Sequence, residues 1–474
     1  MDIDIREQIR RDEAVERYRR RDPEAARWAA GYGPIEHSAE TQARVFAMAE
    51  ALKGEGEGEA GERPFFEVLH AADRVAGAAM WLVVHETYAR NVYLDGRSLA
   101  PGDFKPQPEG HTGGALNMVP AYVGYLAVNV ITGLTRAWLM GQGHCVAAVD
   151  SANLLVGNAT AAHTERYDLS DQGLSRYVRD FYSYRLGDDG RQDSPLGSHV
   201  NAHTAGGLAE GGYLGFAELQ YVHIPLPGER LVAFLSDGAF EEQRGSDWAP
   251  RWWRAADCGL VAPIMIKNGR RIDQRTTMAQ SGGVDWFARH LALNGFDPIV
   301  FDGRDPAAFA WAIFEIEERA RSAGSALGQG DTYPVRLPYG VAVAPKGAGF
   351  FGEGTNLAHN LPLPANPHLD ADAARLFNES ARRLHVPLDE LSGAVAVFGS
   401  HERTGRPRER DHPVAHRDVP LPVLPDLSSR PVPDDRRHPE TWTRSSPMVA
   451  LDAAFAGIVA ANPQLRARVG NPDE

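Results

Sequence analysis

The chain is expected to fold as an α/β protein, a mostly parallel sheet covered by helices on both faces. Three observations predict this. Short apolar runs of strand length recur from about residue 64 to 345 and end in glycine-rich or polar turns. Longer amphipathic stretches separate them, an alternation that builds parallel sheets. Polar motifs follow directly on the runs, where ligands of such sheets bind, outside the carboxyl ends of the strands.

The elements follow in chain order. Residues 1–60 read as helical, charged from Arg6 to Arg27 and apolar-periodic around Val45, Ala47 and Leu52, a solvated outer layer. The clearest strands are Ala137–Met140, Leu231–Leu235, Leu260–Ile266, Ile299–Phe301 and Val341–Val343, with a helix over Pro306–Ala323 between the last two. Eight prolines between Pro407 and Pro439 remove backbone donors and make an extended connector. Ser446-Pro447 then reads as an N-cap with proline at the first helical position. Met448, Leu451, Ala454, Phe455, Ile458 and Val459 mark one apolar face. The expected divisions are 1–365 for the α/β domain with its helical layer, 366–440 for the connector, and 441–474 for the start of a further layer.

Composition narrows the function. With 474 residues, 43% hydrophobic and 24% charged, the chain can bury a large core. A net charge of −14 argues against a nucleic-acid surface, so an anionic substrate needs a locally basic pocket. No run reaches the roughly 18 uninterrupted apolar residues of a membrane helix, and Met1-Asp-Ile-Asp-Ile-Arg has no signal-peptide pattern. Cys145 and Cys258 cannot build a disulfide framework or a zinc site. A cytoplasmic protein with no nucleic-acid or membrane partner is expected.

The chemistry concentrates in a few motifs. Leu231–Ser236 runs into Asp237-Gly238, and 31 residues later Ile266-Lys-Asn268-Gly269 follows a second apolar run. A carboxylate and an amide oxygen at neighbouring strand ends suit Mg²⁺, which takes few protein ligands and completes its shell with water and phosphate oxygens. His111, His144, His199 and His359 lie in Gly- or Pro-flanked contexts, where an imidazole is free to move protons near neutral pH. Lys346 offers a compact cation to a phosphate. Gly347-Ala-Gly349-Phe-Phe-Gly352 imitates a dinucleotide fingerprint, but no helix start follows it, so NAD is not expected.

Six of these elements, in order, resemble the amino-terminal part of phosphoketolases, relatives of transketolase. They are Gly110-His111-Thr-Gly113, Gly141-Gln-Gly143-His144, Ser198-His199-Val200, Glu210-Gly211-Gly212, Pro345-Lys346-Gly347 and Ala358-His359-Asn-Leu-Pro362. The Asp237-Gly238 and Asn268 pair resembles the motif by which thiamine diphosphate (ThDP) enzymes hold the cofactor's diphosphate through a metal. Ser236 stands where that family has the first glycine of its Gly-Asp-Gly. The resemblance implies a transketolase-like ThDP-binding fold of the diphosphate-binding type, with ThDP and Mg²⁺ as cofactors. It implies His111, His144, His199 and His359 as catalytic groups. It assigns Gly211, Gly212, Gly238 and Lys346 to the cofactor, and Asp237, Asn268 and Arg270 to the metal. The implied reaction is carbanion chemistry at C2–C3 of a ketose phosphate such as xylulose 5-phosphate, ending in phosphorolysis or ketol transfer. A sugar-phosphate 3-epimerase and an inert scaffold or regulatory subunit of the same fold are the alternatives. In the family the pyrimidine-binding domain supplies the activating glutamate, so a second subunit carrying that domain is the expected partner.

Overall fold

Ala137–Met140 (β1), Arg230–Ser236 (β2), Leu260–Lys267 (β3), Phe296–Asp302 (β6) and Leu337–Val343 (β7) form one parallel sheet, ordered β1-β2-β3-β7-β6. The structure is a computed structural model and describes residues 5–54, 64–183, 188, 228–242, 259–271, 274–328, 335–399, 405–412, 423–424 and 447–463. All five expected strands are present. β6 and β7 begin well before the apolar runs, because Pro298 and Pro338 interrupt those runs without breaking the ladder. Pro298 lies on the edge strand. Pro338 precedes the point where β7 starts to pair with β3, at Ile264 and Gly340, so neither missing N–H costs a bond. Arg270–Arg271 (β4) and Gln274–Arg275 (β5) make a small antiparallel ribbon beyond β3.

Helices cover both faces. The layer ahead of the sheet holds Ile5–Arg21 (α1), Pro23–Ala29 (α2) and Ala39–Gly54 (α3), followed by Phe65–Tyr88 (α4) and Thr112–Thr132 (α5). After β1 come Val146–Leu155 (α6), Ala161–Arg166 (α7) and Asp171–Asp180 (α8). Asp237–Glu242 (α9) follows β2, and Thr277–Gln280 (α10) and Gly283–Leu293 (α11) lead to β6. Pro306–Gly328 (α12) joins β6 to β7; Ala371–Arg382 (α13) and Leu388–Phe398 (α14) come later. Tyr339 packs on Phe287 of α11, while the next residue, Gly340, faces Ile316 of α12. Consecutive strand residues point to opposite faces, so α11 and α12 lie on opposite sides of the sheet.

α4 and α5 are buried almost end to end. By length and composition α5 passes as a membrane span, yet 94% of its apolar window is buried inside the protein, as for a central core helix. Gly124 lets α12 come close: a Cβ there would stand 2.4 Å from the Pro306 carbonyl oxygen. The amino-terminal layer is fastened by His37, whose Nδ1 lies 2.8 Å from Asp305 and whose Nε2 lies 3.1 Å from Asp73. Burial alone would push His37 down, but the two carboxylates outweigh it and carry the ring up to about 10. The fully buried Trp28 packs over it at 4.2 Å. Within α3, Val45 faces the core as expected; Ala47 is exposed, and Phe46, Met48 and Ala49 complete the buried face.

The amino edge of the sheet is held by charge. Arg136, just before β1, is fully buried and forks onto Glu317 of α12 at 2.7 and 2.8 Å; Arg230, opening β2, joins at 2.6 Å. Burial would raise the Glu317 carboxyl, and the two guanidinium groups hold it below its usual range instead. Glu317→Leu should lower stability by about 3–5 kcal/mol, because it strands a buried guanidinium. Urea unfolding that matches wild type would refute this.

Contacts divide the chain into two units, Met1–His412 and Pro413–Glu474. Residues 371–398, expected within the connector, form α13 and α14, and α14 packs along α4 with Leu391, Ala394, Val397 and Phe398 buried. Residues 405–412, also expected to be extended, include a buried turn in which Glu409 accepts from Asn129 and Arg406. In the second unit, Pro447–Ala461 (α15) exposes Leu451, Phe455 and Val459. Asn462 closes it by exchanging two hydrogen bonds with the backbone of Val423.

Candidate active site

Three distant segments meet at the carboxyl edge of the sheet. One is the entry to α5, Gly110–Gly114; the second is the turn after β1, Gly141–Cys145; the third is the stretch after β7, Pro345–Asn360. Asn117 of α5 binds the third segment at both ends of Lys346, donating to the Pro345 carbonyl (2.8 Å) and accepting from the Gly347 N–H (3.2 Å). The Gly113 N–H donates to the His359 carbonyl and the Thr112 hydroxyl to that of Asn360, at 3.2 and 2.7 Å. Gly113 must be glycine: a Cβ would lie 2.0 Å from the Ala358 carbonyl oxygen. The Gly141 N–H bonds the Phe234 carbonyl of β2, which fixes the middle segment to the sheet.

This interlock brings three imidazoles and one lysine together. The His111 ring lies 5.3 Å from His144 and 6.3 Å from His359, centre to centre. Lys346 Nζ is 2.5 Å from His359 Nδ1. An ammonium only donates, so that nitrogen accepts and Nε2 carries the ring proton. His111 Nδ1 lies 3.1 Å from Asn360 Oδ1, so it donates there and Nε2 keeps a lone pair. Burial, then the charges of His111, His359 and Lys346, push His144 down to about 3. Burial and Lys346 do the same to His359, also to about 3, and burial lowers His111 against its bond to Asn360. The cluster is therefore one cation among neutral rings near pH 7, poised to receive an anion. Cys145, beside His144, is buried and pushed up to about 12, so it is no nucleophile.

Asp237, after β2, is fully buried; its Oδ2 accepts from the Gly269 N–H at 2.7 Å. Burial pushes its carboxyl up to about 6 against that bond and the charges of Lys267 and Lys346. Lys346 thus stands in electrostatic reach of both the histidines and the carboxylate. Asn268, half-buried after β3, accepts from the Arg270 N–H at 3.0 Å. The Arg270 guanidinium, a donor with no lone pair for a metal, reaches Asn356, so the oxygen this residue offers is its backbone carbonyl. That oxygen lies 3.8 Å from where a Gly238 Cβ would stand. A carboxylate, an amide oxygen and a carbonyl at adjacent strand ends are hard donors of the kind Mg²⁺ takes. The Gln142 Oε1, buried and without a hydrogen-bond partner among the described residues, leaves an acceptor for a ligand at the turn that carries His144. These residues fit a diphosphate held through a hard cation.

His199, Gly211, Gly212 and Cys258 lie outside the described residues. The sequence reading missed Asn117, Asn360 and Gln142. Asn117 had a signal, as one of two asparagines on a largely apolar helix; Asn360 and Gln142 had none beyond their neighbours.

An open parallel sheet with histidines, a lysine and a buried carboxylate at its carboxyl edge has the layout in which α/β domains bind ligands. The chain belongs to the family described as XFP N-terminal domain, whose model matches residues 66–379. It is 27% identical over 316 residues to the relative named "Probable phosphoketolase" of Rhodopseudomonas palustris strain BisB5, covering 63% of this chain and 38% of that one. It is 26% identical over 340 residues to the xylulose-5-phosphate phosphoketolase of Lactiplantibacillus pentosus, covering 66% and 42%. The chain thus spans about two-fifths of the length of these curated relatives. The transketolase of Leishmania mexicana superposes with a TM-score of 0.41 and 16% identity, over 71% of this chain and 45% of that one.

Proposed function

We propose that this chain forms the diphosphate-binding half of a ThDP- and Mg²⁺-dependent enzyme that cleaves a ketose phosphate of the xylulose 5-phosphate type between C2 and C3. The observation that carries this reading is the meeting of His111, His144, His359 and Lys346 at one sheet edge, within electrostatic reach of Asp237. When bound, ThDP supplies an electron sink for the carbanion left by bond cleavage. Asp237, Asn268 and the Arg270 carbonyl would hold the metal, and Gly238 and Lys346 the diphosphate, joined by Gly211 and Gly212. His111, with its Nε2 lone pair free, would take the proton from the substrate's C3 hydroxyl. His144 and His359 would bind the remaining hydroxyls, and His199 is assigned with them. The printed name of the Lactiplantibacillus pentosus relative supports xylulose 5-phosphate as the substrate.

A pyrimidine-binding domain on a second subunit would complete the site and supply the activating carboxyl group. The test is to titrate ThDP with Mg²⁺ and follow xylulose 5-phosphate consumption, with the chain alone and then with that subunit. Turnover is expected only in the combined sample. Full turnover from the chain alone would overturn the second-subunit reading, and no ThDP binding in either sample would overturn the cofactor reading.

A further inference from the structure

Lys267, the last residue of β3, pairs in register with Val343 of β7, and Val343 pairs with Asp302 of β6. By strand alternation this row points to the face of Tyr339 and α11, away from the α12 face. The histidine cluster rests on α5, which packs against α12 on the other side. Lys267 is only 7% exposed, and among the described residues its ammonium has no hydrogen bond and no carboxylate within ion-pairing distance. Asp237 feels its charge from the neighbouring strand without forming an ion pair. A buried ammonium without an anion is costly, so the position calls for one.

The neighbouring helix end supplies the rest. α11 spans 11 residues and begins at Gly282-Gly283, both with positive φ and with no side-chain cap. Among the described residues no acceptor meets its first-turn N–H groups, which lie at the positive end of the helix dipole. Lys267 Nζ stands 3.8 Å from where a Gly283 Cβ would be, so the ammonium lies beside this helix start. Asp285, in the same first turn, is exposed. The cleft in front of Lys267 is open, about 390 Å³, and is lined also by Asn268, Asp302, Arg304, Val343 and Pro345. Arg304 forks onto Asp302 through Nε and one Nη, at 3.1 and 2.9 Å, and among the described residues the other Nη is left for a ligand. That volume exceeds an inorganic ion, and its far end offers a hydroxyl acceptor and a donor side by side.

We propose that this cleft is a second anion site, separate from the histidine cluster, which takes a phosphomonoester of a small hydroxylated molecule. Lys267 and the first turn of α11 hold the phosphate, and Asp302 with Arg304 hold the hydroxyls. The cleft adjoins the proposed metal site at Asn268, but the groups that hold the phosphate are not those of the ThDP reading. The test is calorimetric titration of the full chain with inorganic phosphate and with glycerol 3-phosphate, before and after saturation with ThDP and Mg²⁺. After that saturation, which fills the histidine cluster, one site per chain is expected for both probes. Lys267→Met should weaken each by about tenfold or more, as for loss of a charge-assisted hydrogen bond. Arg304→Met should weaken glycerol 3-phosphate and spare inorganic phosphate. Lys267→Gln, which keeps a polar side chain of similar reach, stands in if the methionine variant fails to fold. Wild-type affinity in a folded Lys267 variant would overturn the proposal. Absence of any phosphate site after saturation with ThDP and Mg²⁺ would also overturn it, by giving Lys267 to the cofactor's own tail.

Discussion

Asp237→Ala is expected to weaken ThDP binding in the presence of Mg²⁺ by more than about 100-fold, beyond the usual cost of losing an outer-shell partner of a metal. The carboxylate is the one anionic member of the set with Asn268 and the Arg270 carbonyl, so its loss leaves the metal with neutral donors only. It also removes the acceptor of the Gly269 N–H. Asp237→Asn separates the two effects, since its amide oxygen can still accept that bond while the charge is gone. Both variants should lose affinity if charge is what binds; loss in Asp237→Ala alone would make the residue a scaffold. The carboxyl lies up at about 6 without metal, above the usual carboxylate value. The ionised form therefore costs folding stability above about pH 6, and that cost fades as pH falls below it. Metal binding requires the ionised form, so affinity should fall about tenfold per pH unit below pH 6. Calorimetry between pH 5 and 7.5 reads this slope directly, and a flat profile would exclude Asp237 as the ligand.

His111→Ala, His144→Ala and His359→Ala should each cost about 10²–10⁴-fold in turnover in the completed enzyme while largely sparing ThDP affinity. If all three stayed within about threefold of wild type, the general acid/base assignment would fail. The buried rings give a readout that needs no substrate. His144 and His359 both lie down at about 3, below the ordinary imidazole value. The unfolded chain therefore binds protons that the folded chain refuses, and stability falls as pH drops from about 6.5 toward 3. His144→Ala should flatten that fall in urea unfolding between pH 5 and 8. Lys346→Met should lift the titration of His359 in NMR, because the ammonium's charge and bond are removed together; an unmoved titration would break the coupling.

How much of this was legible in the sequence depends on burial pattern. The five strands announced themselves because a strand buried on both faces reads as a short apolar run ending in a polar turn, as Leu231–Ser236 does. α4 and α5 did not, since a helix covered on all sides has no polar stripe to set its period. Residues 371–398 fell inside the expected connector, although Ala373, Ala374, Phe377 and Ala381 carry a helical face that the structure buries. The site's charged and imidazole groups were readable because they follow strand ends or stand among glycines. The Arg136–Glu317 fork was not, because its partners lie 181 residues apart and neither neighbourhood hints at the other.

The Asn117 clasp has a kinetic consequence. Asn117 meets Pro345 across 228 residues, and His111 meets Asn360 across 249. Contacts this distant bear a large loop-closure entropy and form after local helices and neighbouring strands have assembled. No short segment can nucleate the cluster, so its histidines cannot gather in a partly folded chain. Ligand competence is in this sense a late reporter of folding: the pocket comes into being only when the two ends of the domain have found each other.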